Sequence, residues 1–224
     1  MRYNIFNQIH KALRALLYDT ALIIQQTDFT NAAETAKALE KIKVLVELFD
    51  KHAYYEDNYI LPAIEEFDAA VIKDFEQEHQ EDYALGQQLR QLMDGLTKAI
   101  ALNDRIEAGL ALHNAFVAFM VFNLTHMAKE EQLLNAVLWK HFDDGQIMAL
   151  NRTIVANISQ EEMELGNFWM LKSLNNLEII NWLKLVRVNA TEPAFRGLYL
   201  MASDALPDNR WQTIKEALGE GAVA

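Results

Sequence analysis

The sequence predicts an all-α protein, in which an up-down-up-down four-helix bundle is followed by additional C-terminal helices. Only 8 Gly and 3 Pro interrupt the 224 residues, and strong helix formers such as Ala, Leu, Glu, Gln and Lys dominate. Apolar residues recur at helical spacing in four long segments joined by three short connections. Short connections place consecutive helices side by side in opposite directions, which is the arrangement of a simple bundle.

The first two helices are delimited by recognisable start and stop signals. Helix A is predicted over about residues 3–27. Asn31 followed by Glu34 indicates a capping box at the start of helix B, which is predicted to run to about Phe67. Because proline cannot donate a backbone hydrogen bond, Pro62 is expected to kink the last turns of this helix.

The third and fourth helices follow the same logic. Asp68 is expected to cap helix C, and Asp104 together with Glu107 is expected to cap helix D. The apolar residues of these two helices recur every three or four positions and are expected to face the core. They are Ile72, Phe75, Leu89, Met93 and Leu96 in helix C, and Leu112, Phe116, Phe119, Leu133 and Val137 in helix D.

After Asp143 and Asp144 the chain changes to shorter helices. We therefore divide it into a bundle, residues 1–142, and a helical C-terminal extension, residues 143–224, which is expected to pack on the bundle. A protein partner or a homo-oligomer contact through these extra helices stays open as the alternative role. The expected helix starts are Ser159 with Glu162, Asn175 with Glu178, Thr191 before Pro193, and Pro207.

Composition excludes several classes of function. The formal charge of −12, from 20 basic and 32 acidic residues without a basic cluster, makes nucleic acid and anionic membranes unfavourable partners. The absence of cysteine excludes disulfides, thiol catalysis and thiolate-bound zinc or iron–sulfur clusters. No uninterrupted apolar segment of about 20 residues indicates a membrane span, and no leader pattern opens the chain. We expect a cytoplasmic protein.

Two short motifs carry side chains that can bind metal. His52 and Glu56 stand four residues apart, and His126 and Glu130 repeat this spacing. Four residues advance an α-helix by about 400°, so both members of a pair lie on one face. Each pair falls in the apolar row of its helix, where a carboxylate is costly to bury unless it is paired or bound to metal. The motifs therefore predict ligands that point into the bundle.

His10 and His79 complete a set with one histidine on each predicted helix. A single histidine on an apolar face is usually a hydrogen-bonded core residue, but four together change that expectation. At a rise of about 1.5 Å per residue, an antiparallel bundle brings all four to one end, within about two turns of each other in height.

The repeated spacing suggests two metal ions related by a pseudo-two-fold axis. Two histidines would bind each ion, and Glu56 and Glu130 would bridge the pair. Such a nitrogen-rich, carboxylate-bridged site favours two iron ions, with manganese or zinc less favoured. The C-terminal extension contains no histidine and is not expected to bind metal. The predicted ligands are His10, His52, Glu56, His79, His126 and Glu130.

This ordered ligand series resembles that of the hemerythrin-like, or HHE cation-binding, family. The stretch from Glu56 to Pro62 is also similar to the one that often follows the first histidine–glutamate pair of that family. The resemblance covers about residues 5–142. It implies a four-helix bundle that holds a non-heme di-iron centre.

Two departures from oxygen-carrying hemerythrins bear on function. Those proteins add a histidine one turn after the third-helix ligand, where this chain has Tyr83, and they have an aspartate where this chain has Glu130. The set of four histidines and two glutamates is more similar to bacterial di-iron proteins linked to iron–sulfur cluster repair and nitric oxide stress. An open coordination position would admit a diatomic ligand, and Tyr83 is a candidate to line it or to ligate weakly, with a packed core tyrosine as the alternative. Glu78, Glu81 and Asp82 flank His79 and are expected to be solvated rather than to bind metal, and a role for Glu78 in supporting a ligand is the alternative.

Three classes of function follow. The favoured hypothesis is a protein whose di-iron centre binds or senses O2 or NO, or responds to iron or redox state. The alternative is a di-iron enzyme that handles NO or peroxide, or acts in iron–sulfur cluster repair. The third is a helical interaction module without metal.

Overall fold

The computed structural model describes residues 2–219, and the regular secondary structure of this part of the chain is helical, with no strand. The predicted all-α class is confirmed. Two compact units are present. The first consists of Leu16–Asn157 with the residues that precede Gln8, and the second of Gln8–Ala15 with the residues from Ile158 onward. The sequence-based domain boundary at residues 142 and 143 stays a prediction.

The long helices of the first unit appear in the predicted order. Helix α4 packs against both α2 and α5, so neighbouring helices form the bundle. Residues Gln8–Ala15 of α1 belong to the second unit. The helices up to Asn157 are α1 Asn7–Gln26, α2 Ala32–Tyr55, a π-helical turn Glu56–Ile60, α3 Leu61–Ile64, α4 Ala69–Lys98, α5 Leu102–His141 and α6 Asp144–Ala156.

The predicted helix B is not one uniform helix. It comprises α2, the π-helical turn and α3, and the Leu61 amide bonds back five residues to the Glu56 carbonyl. Pro62 stands at the start of α3, where its missing N–H is tolerated. The expected distortion near Pro62 is therefore present, and it takes the form of a widened turn that begins at Glu56.

The start of the predicted helix D was placed wrongly. Helix α5 begins at Leu102, before Asp104, and its N-cap makes no side-chain hydrogen bond. Tertiary packing fixes this end instead, because Arg105 Nε donates a 2.9 Å hydrogen bond to the Phe29 carbonyl. Gly109 lies so close to the Phe29 ring that a Cβ there would stand 2.4 Å from it. By contrast, Asp68 caps α4 as predicted, through a hydrogen bond from the Val71 amide.

The core of the bundle contains nearly all the side chains expected there. Phe116 and Phe119 are about 1% exposed, and Phe119 packs edge-to-face on Phe49 with ring centroids 5.4 Å apart. Leu133 is the exception, because it is 47% exposed while its neighbour Leu134 is fully buried. The inward row of α5 passes through Leu134 rather than Leu133.

The helices from Ile158 onward form a second apolar core. The capping signals predicted at Ser159, Asn175 and Thr191 are confirmed, each by a hydrogen bond to the backbone of its helix. The helices are α7 Gln160–Ser173, α8 Asn176–Asn189, α9 Glu192–Ala205 and α10 Asp208–Ala217.

Helix α5 is unusually apolar. Within residues 2–219 it is the one helix long and apolar enough to cross a membrane by length and composition, and 28% of its most apolar window is buried. A core helix of a bundle meets the same criteria, and α5 also buries His126 and Glu130. The helix is therefore weak evidence for a membrane span, and the cytoplasmic location stays an expectation.

Candidate metal centre

Four buried side chains converge inside the first unit. They come from the π-helical turn, α4 and α5, and one ligand atom of each lies within 4.8 Å of the others. Their exposed fractions are between 0 and 6%, so water contributes little to their solvation. The four are Glu56, His79, His126 and Glu130.

A second group of ligand atoms overlaps the first. It consists of His10, His52, Glu56 and Glu130, again within 4.8 Å of one another. His10 is fully buried in α1, and the Nε2 of His52 is 3.2 Å from Glu56 Oε1. All six residues predicted from the sequence thus belong to one group or the other. Both groups contain Glu56 and Glu130.

The distances between ligand atoms suit an ion placed among them. His126 Nε2 is 3.0 Å from Glu130 Oε1, and His79 Nε2 is 3.5 Å from Glu56 Oε2 and 3.8 Å from Glu130 Oε1. The Nε2 of His79 is buried without a hydrogen-bond partner. Two ligand atoms at metal–ligand distances of about 2.1 Å lie roughly 3 to 3.5 Å apart around one ion. The donor set therefore fits a metal.

Carboxylates hold the far nitrogens of two of these histidines. His79 Nδ1 is 2.6 Å from Asp57 Oδ1, and His126 Nδ1 is 2.8 Å from Glu78 Oε2. Since a carboxylate accepts hydrogen bonds, each Nδ1 carries the proton and each Nε2 is left to face the cluster. Lys129 Nζ donates a 2.5 Å hydrogen bond to the other oxygen of Glu78. Glu78 was expected to be solvated, and this geometry agrees instead with the alternative, a supporting role.

The π-helical turn explains how Asp57 reaches the site. Glu56 and Asp57 are consecutive, yet they approach the two different nitrogens of the same imidazole of His79. In an α-helix, consecutive side chains are rotated by about 100°, and a π turn, with more residues per turn, rotates them by less. Sequence periodicity alone assigned Asp57 no role, because only the widened turn brings it towards His79.

The excess of acidic groups changes the protonation of the histidines. Burial by itself lowers the pKa of His79, but the Asp57 hydrogen bond and the nearby carboxylates of Glu130 and Glu56 outweigh it and raise that pKa to about 12. The pKa of His126 is also raised, since Glu130 and Glu78 outweigh the effect of burial. The cluster attracts positive charge, which protons supply in the metal-free protein and a cation would supply on binding.

Asp82 and Tyr83 differ from their expected positions. Asp82, expected in solvent, is 5% exposed and accepts a 2.5 Å hydrogen bond from Asn123 Nδ2. Burial raises the pKa of Asp82 to about 6 despite that bond. Tyr83 is 58% exposed, so it does not line the site. It stands four residues after His79, but its side chain lies on the solvent side of α4.

Aromatic rings border the site instead. The ring centroids of Phe75 and Phe122 lie 5.6 and 5.9 Å from that of His126, and the Phe122 ring is stacked on the imidazole. His79 meets His126 edge-to-face, with centroids 4.9 Å apart. These rings restrict the rotation of His126 and exclude water from its faces.

The fold and the site together define a helical bundle with a buried cation-binding cluster of histidine and glutamate. The chain matches the family model described as the hemerythrin HHE cation binding domain over residues 1–150, and it belongs to that family. No curated protein and no solved structure matched the chain. Cation binding is therefore the function that the family and the site share.

Proposed function

We propose that this protein is a non-heme di-iron protein that binds or senses O2 or NO, or responds to iron or redox state. The observation that carries the proposal is the overlap of the two ligand groups at Glu56 and Glu130. In this assignment His10 and His52 bind one ion, and His79 and His126 bind the other. Glu56 and Glu130 would provide ligands to both ions.

The donor set favours iron. It consists of imidazole nitrogen and carboxylate oxygen, and the chain has no cysteine that would select softer metals. Two histidines and two shared carboxylates give each ion four protein ligands, which leaves room for a small molecule. When bound, a ferrous pair supplies a redox-active Lewis acid that diatomic ligands can reach.

The residues around the ligands have separate tasks in this proposal. Asp57 and Glu78 hold the rings of His79 and His126 in one orientation, so that their Nε2 atoms would face the ions. Phe75 and Phe122 keep the surroundings of His126 apolar. An apolar border favours an uncharged diatomic molecule over charged solutes.

The first test is metal analysis of protein from iron-supplemented cells, with visible spectra recorded anaerobically and after addition of O2 or NO. We expect about two irons per chain and a spectral change with at least one gas. The variant with His52→Ala and His126→Ala should lose iron. His113→Ala is the matched control, since His113 belongs to neither ligand group. Absence of iron, or iron retained in the double variant, would refute the proposal.

Repeated turnover separates the proposed binding role from the enzymatic alternative. A binding or sensing protein consumes no more than one equivalent of O2 or NO per di-iron site and returns it when the gas is removed. Continuous consumption of NO or peroxide in the presence of a reductant would show an enzyme. Uptake that is neither reversible nor catalytic but follows the redox state of the iron would support the sensing role.

A further inference from the structure

Helix α5 carries apolar residues on two opposite faces. One face enters the bundle core through Leu112 and Phe116, which are at most 1% exposed. The opposite face presents Leu110, Val117 and Val121, which are 60%, 39% and 56% exposed. A helix that is apolar all round is normally covered all round. The outer face of α5 is therefore an unusual surface for a charged protein.

The spacing on this outer face is that of a helix-pairing seam. Leu110 and Val117 stand seven residues apart, and so do Asn114 and Val121. The two series interleave in steps of four, three and four residues, which is the repeat by which one helix packs along another. We refer to Leu110, Asn114, Val117 and Val121 as the α5 seam.

Charge indicates what can cover this seam. No Asp, Glu, Lys or Arg stands between Glu107 and Lys129, although the whole chain has a formal charge of −12. A two-fold contact sets the same surface of each copy against the other, so any acidic residues on it would repel. The stretch of α5 between Glu107 and Lys129 is uncharged, so two copies can pack there without charge repulsion. A strongly acidic protein attracts basic partners, but this stretch offers a basic partner no acidic side chain to pair with.

Asn114 adds a feature that suits self-association. It lies near the midpoint between Leu110 and Val121 and is exposed. An asparagine side chain has both a donor and an acceptor, so two copies of Asn114 can hydrogen-bond to each other across a two-fold axis. A single asparagine in an apolar seam lowers stability but fixes register and the number of helices.

We propose that the α5 seam is the interface of a homodimer, in which α5 of one copy packs along α5 of a second copy about a two-fold axis. The seam is separate from the ligand residues of α5, since His126 and Glu130 are buried in the opposite direction. The dimer is thus an assembly of the bundle that goes beyond the proposed metal function and does not depend on it.

Sedimentation velocity of the full-length protein over a concentration series tests the proposal. We expect a monomer–dimer equilibrium that Val121→Glu weakens by more than about a hundredfold, because each copy would then bury an unpaired carboxylate in an apolar interface. Val188→Glu is the matched control. Val188 is 82% exposed on α8, so the same change there should leave the dimer intact. Circular dichroism and metal content verify that Val121→Glu folds.

Cysteine cross-linking gives an independent measurement, because the chain has no native cysteine. Oxidised Asn114→Cys should yield a covalent dimer within minutes, and Val188→Cys should not. A wild-type protein that stays monomeric up to several hundred micromolar, or a dimer unaffected by Val121→Glu, would overturn the proposal. Binding of monomeric protein to phosphatidylcholine vesicles that Val121→Glu abolishes would overturn it as well and assign the seam to a membrane surface.

Discussion

The interior of the bundle and the core formed from Ile158 onward differ in chemistry. The bundle buries Glu56, His79, Asp82, His126 and Glu130. Among the described residues from Ile158 to Gly219, the buried side chains are apolar, as in the cluster of Leu171, Leu174, Ile179, Leu183, Phe195, Leu198, Ala202, Leu206, Trp211, Ile214 and Leu218. Both cores are built from helices of similar periodicity.

The difference shows what each core is selected to do. Apolar burial stabilises a fold by roughly 25 cal/mol per Å² and asks nothing else of the side chains. Buried ionisable groups oppose folding unless each finds a partner or a metal. The apolar core formed from Ile158 onward therefore serves stability only. The core of the bundle also contains buried ionisable groups that oppose folding, and their use is the binding of cations.

The largest expected effect is the loss of metal binding in Glu130→Ala. Glu130 belongs to both ligand groups, so its removal takes an oxygen ligand from both proposed ions. Metal content should fall to near zero, measured by elemental analysis after dialysis. Glu107→Ala, an exposed change on the same helix, is the control and should retain full metal content. Two bound irons in Glu130→Ala would contradict the bridging assignment.

Removal of the bound metal should lower the melting temperature, because the buried cluster of the bundle then loses the cation that stabilises it. A ligand present at about a thousand times its Kd stabilises the folded state by about 4 kcal/mol. For a protein of this size that corresponds to a fall in Tm of roughly 8–16 °C after chelation, as measured by calorimetry. An unchanged Tm after complete removal of metal would show that the buried cluster does not depend on a cation.

Leu183→Ala tests the second core in the converse way. Leu183 is fully buried, so the cavity should lower the free energy of unfolding by about 2–5 kcal/mol without changing metal content. Denaturant unfolding and elemental analysis measure the two quantities. Leu177→Ala is the control, because Leu177 is 66% exposed on the same helix and should change stability by less than about 0.5 kcal/mol. A loss of metal in folded Leu183→Ala would argue against independent cores.

Smaller effects are expected from the carboxylates that hold the histidines. Asp57→Asn and Glu78→Gln should each weaken metal binding by about 10- to 100-fold, as measured by competition with a chelator. Glu81→Gln is the matched control, because Glu81 is exposed on the same helix as Glu78. Equal affinities in Glu78→Gln and Glu81→Gln would remove the support role of Glu78.

The affinity for metal should also depend on pH. The pKa of His79 is raised from 6.5 to about 12, so its protonated form stabilises the metal-free fold fully below pH 6.5, and this contribution is lost as the pH rises towards 12. Metal binding needs the deprotonated ring, so affinity should increase with pH, by about tenfold per unit for each proton displaced. Chelator competition between pH 6.5 and 8.5 measures this slope. A flat profile would mean that no proton leaves on binding.

Much of the candidate site could be predicted because its six candidate ligands follow helical periodicity. His52 with Glu56 and His126 with Glu130 share a face for local reasons, and one histidine per helix limits the ways in which a bundle can assemble. Asp57 could not be predicted in this way, since its contact with His79 depends on the π-helical turn. The burial of Asp82 was missed for a similar reason, because its partner Asn123 lies on another helix.

The sequence by itself determined the helical class, the N-caps of five helices and the spacing of the six candidate ligands, because these depend on residues a few positions apart. Tertiary structure alone decided where α5 begins, which residues hold the histidines and that Tyr83 faces solvent. Each of these outcomes depends on groups distant in the chain, such as Phe29 against Gly109 or Glu78 against His126. Local periodicity specifies which face of a helix is apolar, whereas the contacts between helices decide what that face meets.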